Sequence, residues 1–308
     1  MHYALFLGCK IPNHAPQYEI SARRVLKALG VAVKDLPFNC CGYPLRDQYF
    51  EAFLLSAARN LALAEAKSLT MLTLCKCCLG SLKRAQSFLA ESHSLRTMVN
   101  DELAREGLTY LGQGQVMHLQ SVLYHQVGLE RLADLVTRPF RNLGVATLYG
   151  CHALRPSRLT NFDNPYQPKI IDELLEVTGA ASVAWEGRLR CCGAPLRNKN
   201  EALSLSIIGQ RLQEFHDSGA DILNVDCPHT LLQVQWAFER LEPAQSIKLL
   251  GGIALYPQLL GLAMGLRPSE LALELNTPQP SQLVHFQAAP PAEATEAGAD
   301  QDQARPIA

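Results

Sequence analysis

The chain has 308 residues, of which 48% are apolar and 19% charged, enough for one large or two medium-sized domains with a buried core. This composition excludes a disordered or fibrous protein. The 28 basic and 29 acidic residues leave a net charge of -1, so the chain lacks the strongly basic surface of a nucleic-acid-binding protein.

The first half of the chain alternates short apolar runs with amphipathic stretches. The apolar runs predict strands, and the amphipathic stretches predict helices between them. In chain order these are a strand at Tyr3–Leu7, a helix at Tyr18–Leu29, a strand at Val31–Val33, a helix at Tyr49–Lys67 and a strand at Leu69–Leu74. This alternation is typical of a mostly parallel sheet flanked by helices.

The second half repeats the alternation after a connecting segment that includes a predicted helix, Leu119–Val127. The predicted elements are a strand at Val145–Tyr149, a helix at Lys169–Thr178, a strand at Ser182–Trp185, a helix at Asn200–Asp217 and a strand at Ile222–Val225. The apolar stretch Leu249–Leu266 contains Pro257 and is too short to span a membrane, so it predicts a buried or docking helix.

Three cysteine motifs recur in the same order in both halves, which indicates a duplicated α/β module. The first half has LFLGC at Leu5–Cys9, CCGYPLRD from Cys40 and LTLCKCCLG from Leu72; the second has TLYGC at Thr147–Cys151, CCGAPLRN from Cys191 and LNVDCPHTL from Leu223. We therefore predict a first module at residues 1–106, a connecting helical segment at 107–143, a second module with a C-terminal helix at 144–286 and a disordered tail at 287–308.

Ten cysteines are the unusual feature of the composition. The start of the chain, MHYALFLGCK, lacks the basic residues and the long apolar run of a secretory signal. We therefore expect a cytoplasmic protein whose cysteines bind metal or carry out redox chemistry, rather than form structural disulfides.

The position of the cysteines relative to the predicted strands indicates where such chemistry takes place. Cys9, Cys75, Cys151 and Cys227 each follow a strand, and the adjacent pairs Cys40–Cys41 and Cys191–Cys192 follow the short ones. Ligands of open α/β sheets bind at the carboxyl ends of the strands, so the motifs of each module should meet at one rim. The glycine after each pair permits the backbone turn that brings both sulfurs inward.

The residues alone leave three kinds of site open. Thiolates gathered at one place need a cation to offset their repulsion, which favours one iron–sulfur cluster per module. A zinc site, or one zinc site and one cluster, is the second alternative, and a metal-free thiol–disulfide relay is the third. The first module offers five cysteines, one more than an ordinary four-iron cluster or a tetrahedral zinc ion takes.

The repeated cysteine motifs, with the sequence around them, resemble the B-subunit family of heterodisulfide reductases and its cysteine-rich CCG domain. The likeness covers nearly the whole chain apart from the tail. It includes AARNLALAE at Ala57–Glu65, CLGSL at Cys78–Leu82, VLYHQVGLERL at Val122–Leu132, YGCHALRPS at Tyr149–Ser157, FDNPYQPKIIDELLEVTGA at Phe162–Ala180 and ALYPQLLGLAMGL at Ala254–Leu266.

This resemblance implies an oxidoreductase subunit that carries non-cubane [4Fe–4S] clusters, which reduce or form a disulfide of a small sulfur substrate or a lipoyl-type carrier. The implied partners are a ferredoxin-like iron–sulfur subunit of the C type and a flavin subunit of the A type. The implied ligands of the first, catalytic cluster are Cys9, Cys40, Cys41, Cys75 and Cys78; those of the second are Cys151, Cys191, Cys192 and Cys227.

The chain departs from the family pattern at Thr230, which stands where the second module should have its fifth cysteine. A neutral hydroxyl is a poor replacement for a thiolate on iron. The second site is therefore expected to bind a different cluster, to leave an iron open to substrate, or to have degenerated. His229 is a candidate substitute ligand.

Several other residues lie close to the motifs. Cys77 is an extra cysteine that we expect to point away from the cluster. His152 is a candidate proton donor to a leaving thiolate, or a hydrogen-bond partner of the cluster. His118 is expected to be a core histidine, and Lys76, Arg46, Arg155 and Arg197 are either cations that offset the sulfurs or solvated loop charges.

Two other classes of function stay open. The first is a quinone-linked subunit of the succinate dehydrogenase or fumarate reductase type, with the Leu249–Leu266 helix docked on a membrane. The second is a non-catalytic electron-transfer subunit. The sequence has no nucleotide-binding fingerprint, so we expect electrons to come from partner subunits rather than directly from a nicotinamide.

Overall fold

The computed structural model describes residues 1–245 and 251–284 of the chain. Its strands, in chain order, are β1 (His2–Phe6), β2 (Ala32–Lys34), β3 (Thr70–Thr73), β4 (Val116–His118), β5 (Gly144–Thr147), β6 (Ala181–Val183), β7 (Ile222–Asn224) and β8 (Ile253–Ala254). Short 3-10 turns follow both adjacent cysteine pairs, at Tyr43–Leu45 and Ala194–Leu196.

Helices connect and cover these strands. They are α1 (Ile11–His14), α2 (Pro16–Ala28), α3 (Phe50–Glu65), α4 (Lys76–Glu91), α5 (His93–Leu103), α6 (Leu119–Val122), α7 (Leu129–Asp134), α8 (Cys151–Leu154), α9 (Ser157–Thr160), α10 (Ile170–Val177), α11 (Glu201–Asp217), α12 (Pro228–Gln245), α13 (Tyr256–Ala263) and α14 (Ser281–Val284). Their buried faces join the strands in one continuous hydrophobic core.

Each half of the chain forms a four-stranded parallel sheet. The strand order is β2-β1-β3-β4 in the first sheet and β6-β5-β7-β8 in the second. In the first sheet Tyr3 lies opposite Val33 and Thr70 on its two neighbouring strands, and Val145 has the same central place in the second sheet. The matching order confirms the predicted duplicated α/β fold.

Every strand and helix predicted within the two modules is present, with ends shifted by a residue or two. Strands β4 and β8 were not predicted, because strands of three and two residues carry too little periodicity to be recognised. β4 lies in the segment 107–143 and adds a fourth strand to the first sheet. The helix predicted at Leu119–Val127 is α6 followed by a single π-helical turn.

The apolar stretch near the C-terminus contains α13, and every residue of this helix is buried. Tyr256 at its start donates a hydrogen bond from its hydroxyl to the Leu174 carbonyl oxygen at 3.0 Å. α13 is therefore a core helix with no face left to dock on a membrane, as the quinone-linked alternative would need. Within residues 1–245 and 251–284, no helix is long and apolar enough to cross a membrane.

Two sequence predictions fall wholly or partly outside the described residues. The tail at 287–308 lies beyond residue 284, and the first two positions of the Leu249–Leu266 stretch lie in the gap before residue 251.

Candidate metal centre

All the cysteine motifs lie just beyond the carboxyl ends of the strands, as the sequence predicted. Cys9 follows β1, Cys75 follows β3, Cys151 follows β5 and Cys227 follows β7. The rims of the two sheets face each other, because α4 of the first module packs against α8 of the second. The two groups of cysteines are therefore neighbours rather than distant sites.

A left-handed turn after each adjacent cysteine pair folds the pair toward its own group. Gly42 has φ +78° and Gly193 has φ +78°. A Cβ atom at Gly42 would lie 2.8 Å from the Phe53 carbonyl oxygen, and one at Gly193 would lie 3.0 Å from the Ser204 carbonyl oxygen. Both positions therefore require glycine, for the turn and for the space.

The first group consists of Cys9, Cys40, Cys41, Cys75 and Cys78. The Cys9 and Cys40 sulfurs lie 3.8 Å apart. Cys75 caps the N-terminus of α4, where its sulfur accepts a hydrogen bond of 3.4 Å from the Cys78 amide, as expected for a C-x2-C motif that begins a helix. Four members of the group, Cys9, Cys41, Cys75 and Cys78, line one cavity.

Hydrogen bonds between sulfurs concentrate negative charge on one cysteine of each pair. The sulfur contacts with Cys41 and Cys9 hold the pKa of Cys40 well below its usual range, and the contact with Cys40 raises the pKa of Cys9. In the second module Cys191 has a lowered pKa because Cys151 and Cys192 donate to it. The first cysteine of each adjacent pair is thus held as thiolate, the form that binds metal, while the pKa of the second, Cys41 or Cys192, is raised.

The second group repeats this arrangement with Cys151, Cys191, Cys192 and Cys227. The Cys191 sulfur accepts a hydrogen bond of 3.4 Å from the Gly193 amide. Thr230 occupies the place of the missing cysteine, and its hydroxyl donates to the Cys192 sulfur at 3.6 Å. The substitution therefore retains a polar contact inside the group but removes one sulfur from it.

Cys77 does not point away from the cysteine groups, so that expectation was wrong. Its buried sulfur lies 3.9 Å from the Cys227 sulfur, and the sulfurs of Cys75, Cys77 and Cys227 are all within 4.8 Å of one another. Neighbouring positions on a helix point in different directions, so Cys77 leaves α4 on another side than Cys75 and Cys78. That side faces the second module rather than solvent.

His152 and His229 lie with Tyr43 between the two groups. His152 Nδ1 is 3.0 Å from the Cys77 sulfur, and its ring meets the Tyr43 ring edge-on. The His229 ring also meets Tyr43 edge-on, with ring centres 5.5 Å apart. Tyr43 and His229 line the cavity of the first group and also a second cavity, which is lined by Cys151, Cys191, Cys192 and Cys227. They therefore form the wall between the two cavities. Tyr43 was not singled out from the sequence, where its counterpart in the second module is Ala194.

Lys76 is fully buried between the modules, which excludes a solvated loop charge. Its Nζ donates to the Tyr149 carbonyl oxygen at 2.7 Å and lies over the Tyr149 and Phe162 rings. Burial lowers its pKa, against the attraction of Asp226 and the cysteines. Asp226 is also buried and accepts a hydrogen bond of 2.7 Å from the Tyr256 amide.

The other polar residues named from the sequence have their own partners or are exposed. His118 is a core histidine, as expected: it is fully buried, with Nε2 3.1 Å from the Leu74 carbonyl oxygen. Arg46 lies over the Tyr43 ring and pairs with Asp47. Arg197 lies over the Trp236 ring, and Arg155 is exposed.

The donor set fits a metal site built from soft thiolates. Two sulfurs bound to one tetrahedral ion at about 2.3 Å lie about 3.8 Å apart, which is the separation of Cys9 and Cys40. An ordinary four-iron cluster takes only four cysteines, one for each iron. A group of five, with two sulfurs this close, therefore fits a cluster in which one ion takes two cysteines.

Known proteins share the cysteine-rich modules of this chain. Residues 3–83 and 145–235 each match the CCG family, described as a cysteine-rich domain. The chain is 35% identical over 285 residues to the B subunit of the Ferredoxin/F(420)H(2)-dependent CoB-CoM heterodisulfide reductase from Methanosarcina acetivorans, and the alignment covers 90% of this chain and 93% of that relative.

Two further similarities extend the comparison. The chain is 31% identical over 277 residues to the 8-methylmenaquinol:fumarate reductase membrane anchor subunit of Wolinella succinogenes, covering 89% of this chain and 96% of that relative. A crystal structure of a hypothetical protein from Helicobacter pylori has the same fold, with a TM-score of 0.68 at 21% identity. The match covers 89% of this chain and 51% of that one. The chain belongs to the B-subunit family of heterodisulfide reductases and carries the cysteine-rich CCG domain twice.

Proposed function

We propose that this chain is the iron–sulfur catalytic subunit of a heterodisulfide reductase-like complex, which reduces or forms a disulfide at a non-cubane [4Fe–4S] cluster in the first module. The observation that carries the proposal is the group of five cysteines at one rim, with the Cys9 and Cys40 sulfurs 3.8 Å apart. The relatives' names support the complex and the substrate class.

The cysteines hold the two clusters in this proposal. The first cluster is bound by Cys9, Cys40, Cys41, Cys75 and Cys78, and the second by at least Cys151, Cys191, Cys192 and Cys227. When bound, such a cluster supplies electrons and a Lewis-acidic iron that polarises a substrate sulfur. The exposed position of Cys9 leaves the first site reachable from solvent.

The overall reaction is the two-electron reduction of a disulfide: RSSR′ takes up two electrons and two protons to give RSH and R′SH, and the reverse forms the disulfide. The two side chains between the sites, His152 and Tyr43, are neutral hydrogen-bonding groups rather than charged ones. Burial lowers the pKa of His152 and raises that of Tyr43, so both are neutral near pH 7. We assign Tyr43 the orientation of the substrate sulfurs through a hydrogen bond from its hydroxyl, and we assign His152 a hydrogen bond to Cys77 beside the second site. The two protons of the reaction come from water.

Partner subunits supply the electrons in this proposal. We infer a ferredoxin-like subunit of the C type and a flavin subunit of the A type, because the relatives are named as B subunits of ferredoxin-dependent enzymes. The substrate is a small disulfide or a lipoyl-type carrier. We place the protein in the cytoplasm, because none of the ten cysteines forms a disulfide and thiolates that bind metal persist in a reducing compartment.

Disulfide reduction by the cluster-loaded chain tests this function. We would supply reduced methyl viologen as the electron donor and measure thiol release from two probes, the mixed disulfide of coenzymes M and B and oxidised lipoamide. Cys41→Ser and Cys192→Ser are matched variants, because the two cysteines hold equivalent places in the repeat. We expect thiol release to fall at least tenfold in Cys41→Ser and to persist in Cys192→Ser.

The outcomes separate the alternatives. Loss of thiol release in Cys192→Ser alone would move the reaction to the second module. A chain with intact clusters that reduces neither probe contradicts the catalytic assignment and favours an electron-transfer role.

A fumarate reductase-type role is the second candidate, since the Wolinella succinogenes relative is named a membrane anchor subunit. The burial of α13 removes the docking helix that this role was expected to use. Recovery of the chain in washed membranes, together with a succinate dehydrogenase flavoprotein, would support this candidate instead.

A further inference from the structure

The second cysteine group is one sulfur short of the first. Thr230 fills the position of the missing cysteine, and its neutral hydroxyl lies 3.6 Å from the Cys192 sulfur. An oxygen of this kind binds iron weakly in comparison with a thiolate. If the second module holds the same kind of cluster as the first, a further sulfur must come from elsewhere in the chain.

Cys77 belongs to the first module by sequence but to the second site by position. The cavity of the second site is lined by Cys77 together with Cys151, Cys191, Cys192, Cys227 and Thr230. Cys75 and Cys78, the neighbours of Cys77 at the start of α4, line the cavity of the first site instead. The beginning of this one helix therefore contributes sulfur to both sites.

The distance between sulfurs fits a shared ion. Cys77 and Cys227 lie 3.9 Å apart, close to the separation of about 3.8 Å for two thiolates on one tetrahedral metal ion. The Cys9–Cys40 pair has nearly the same separation in the first group. Each group thus contains one pair of sulfurs spaced to bind one ion together.

Packing between the modules fixes Cys77 in this position. One turn along α4, a Cβ atom at Gly80 would lie 2.8 Å from the His152 carbonyl oxygen, so the two helices approach as closely as glycine allows. The side chain of His152 then reaches Cys77, with Nδ1 3.0 Å from the sulfur. A hydrogen bond from an imidazole N–H orients a metal-bound thiolate and stabilises its charge.

We propose that Cys77 is the fifth thiolate of the second-module metal site, where it binds the same ion as Cys227 and replaces the cysteine absent at Thr230. This inference rests on the proposed iron–sulfur function. Both modules then supply cysteine ligands to the second cluster, because Cys77 comes from α4 of the first module. His152 is the positioning residue for this ligand.

Metal content and thiol reactivity of the cluster-loaded chain test the proposal. We expect Cys77→Ser to lose about half of the iron and acid-labile sulfide, from about eight to about four of each per chain. The double variant Cys77→Ser/Thr230→Cys should recover both, because it restores a fifth sulfur beside Cys192. Ser81→Ala is the control on the same buried face of α4 and should keep the full metal content.

Alkylation with iodoacetamide, followed by peptide mapping, distinguishes a bound thiolate from a free one. We expect Cys77 to be at least tenfold slower to react in the loaded chain than after removal of the metal with a chelator. Cys77 that reacts equally fast in both, or Cys77→Ser with unchanged iron, would overturn the proposal and favour a free thiol reserved for exchange.

The two proposals fail in different ways. If the sites hold zinc without sulfide, and Cys77 is protected only when zinc is present, the ligand assignment stands and the iron–sulfur function falls. If the first site keeps its iron and reduces disulfides while Cys77→Ser changes neither metal nor alkylation, the function stands and the ligand assignment falls.

Discussion

The Nζ atom of Lys76 donates a hydrogen bond of 2.7 Å to the carbonyl oxygen of Tyr149, so a fully buried ammonium of the first module contacts the backbone beside Cys151 of the second. This contact lies between the two cysteine groups. The buried Asp226 carboxylate, which lies next to Cys227 in the chain, attracts this ammonium. The Lys76 side chain therefore both offsets negative charge near the cysteines and joins the two modules.

Replacing this cation should affect stability and redox behaviour together. Lys76→Met removes the buried ammonium and leaves the Tyr149 carbonyl oxygen without its donor, so we expect the free energy of unfolding to fall by about 2 kcal/mol. The reduction potentials of the clusters should become more negative, because a positive charge near the thiolates is lost. Anaerobic denaturant unfolding and redox titration would measure the two effects.

Lys83→Met is the matched control, because Lys83 lies on the same helix but is only partly buried. Its free energy of unfolding should change by no more than about 0.5 kcal/mol. Equal losses of unfolding free energy in the two variants would contradict the claim that the burial of Lys76 causes the effect.

The turns after the adjacent cysteine pairs should not tolerate a side chain. Gly42→Ala places a methyl group 2.8 Å from the Phe53 carbonyl oxygen in a left-handed turn, so we expect a loss of at least about 2 kcal/mol and a displaced cysteine pair. Gly193→Ala should act in the same way on the second group only. Thermal unfolding and iron content of each variant would measure this.

Gly107→Ala separates strain in the turn from steric overlap. Gly107 also has a positive φ, of +69°, but a Cβ atom there would meet nothing within 4 Å. We expect a loss of only about 1 kcal/mol and full metal content. A Gly42→Ala variant that behaves like Gly107→Ala would contradict the steric explanation of the turn.

The stability of the folded chain should fall in mild acid, partly because of His118. Burial lowers the pKa of His118 to about 3. Between its unfolded pKa of about 6.5 and pH 3, the unfolded chain binds a proton that the folded chain does not, so stability decreases as the pH falls. The expected slope from this residue is up to about 1.4 kcal/mol per pH unit.

His118→Gln removes this titrating group while retaining a polar side chain. Anaerobic unfolding at several pH values between 7.5 and 5.5 should give a shallower slope for the variant than for the unchanged chain. Parallel slopes would mean that the acid sensitivity arises elsewhere, for example at His152, whose pKa burial also lowers.

The sequence predicted the fold and the place of the cysteines well, because both depend on local patterns. Apolar runs give the central strands, and a cysteine after a strand must lie at the rim whatever the packing around it. The direction of Cys77 was mispredicted for the opposite reason. Its neighbours are set by how two modules face each other, through contacts such as Gly80 against His152, and no periodicity within α4 encodes that.

Contacts between residues far apart in the chain also explain the other features that the sequence did not predict. Tyr43 lies in the wall between the cavities, but its sequence context shows only that it follows a cysteine pair. The burial of Lys76 depends on Tyr149 and Asp226, far away along the chain. Strand β4 is recognisable only once β3 is in place beside it.

Iron, zinc and acid-labile sulfide per chain, measured on anaerobically purified protein, test the central claim most directly. We predict about eight irons and about eight sulfides with no stoichiometric zinc, because each module then holds one four-iron cluster. Zinc without sulfide would contradict the disulfide-reducing function and leave the two cysteine groups as structural metal sites.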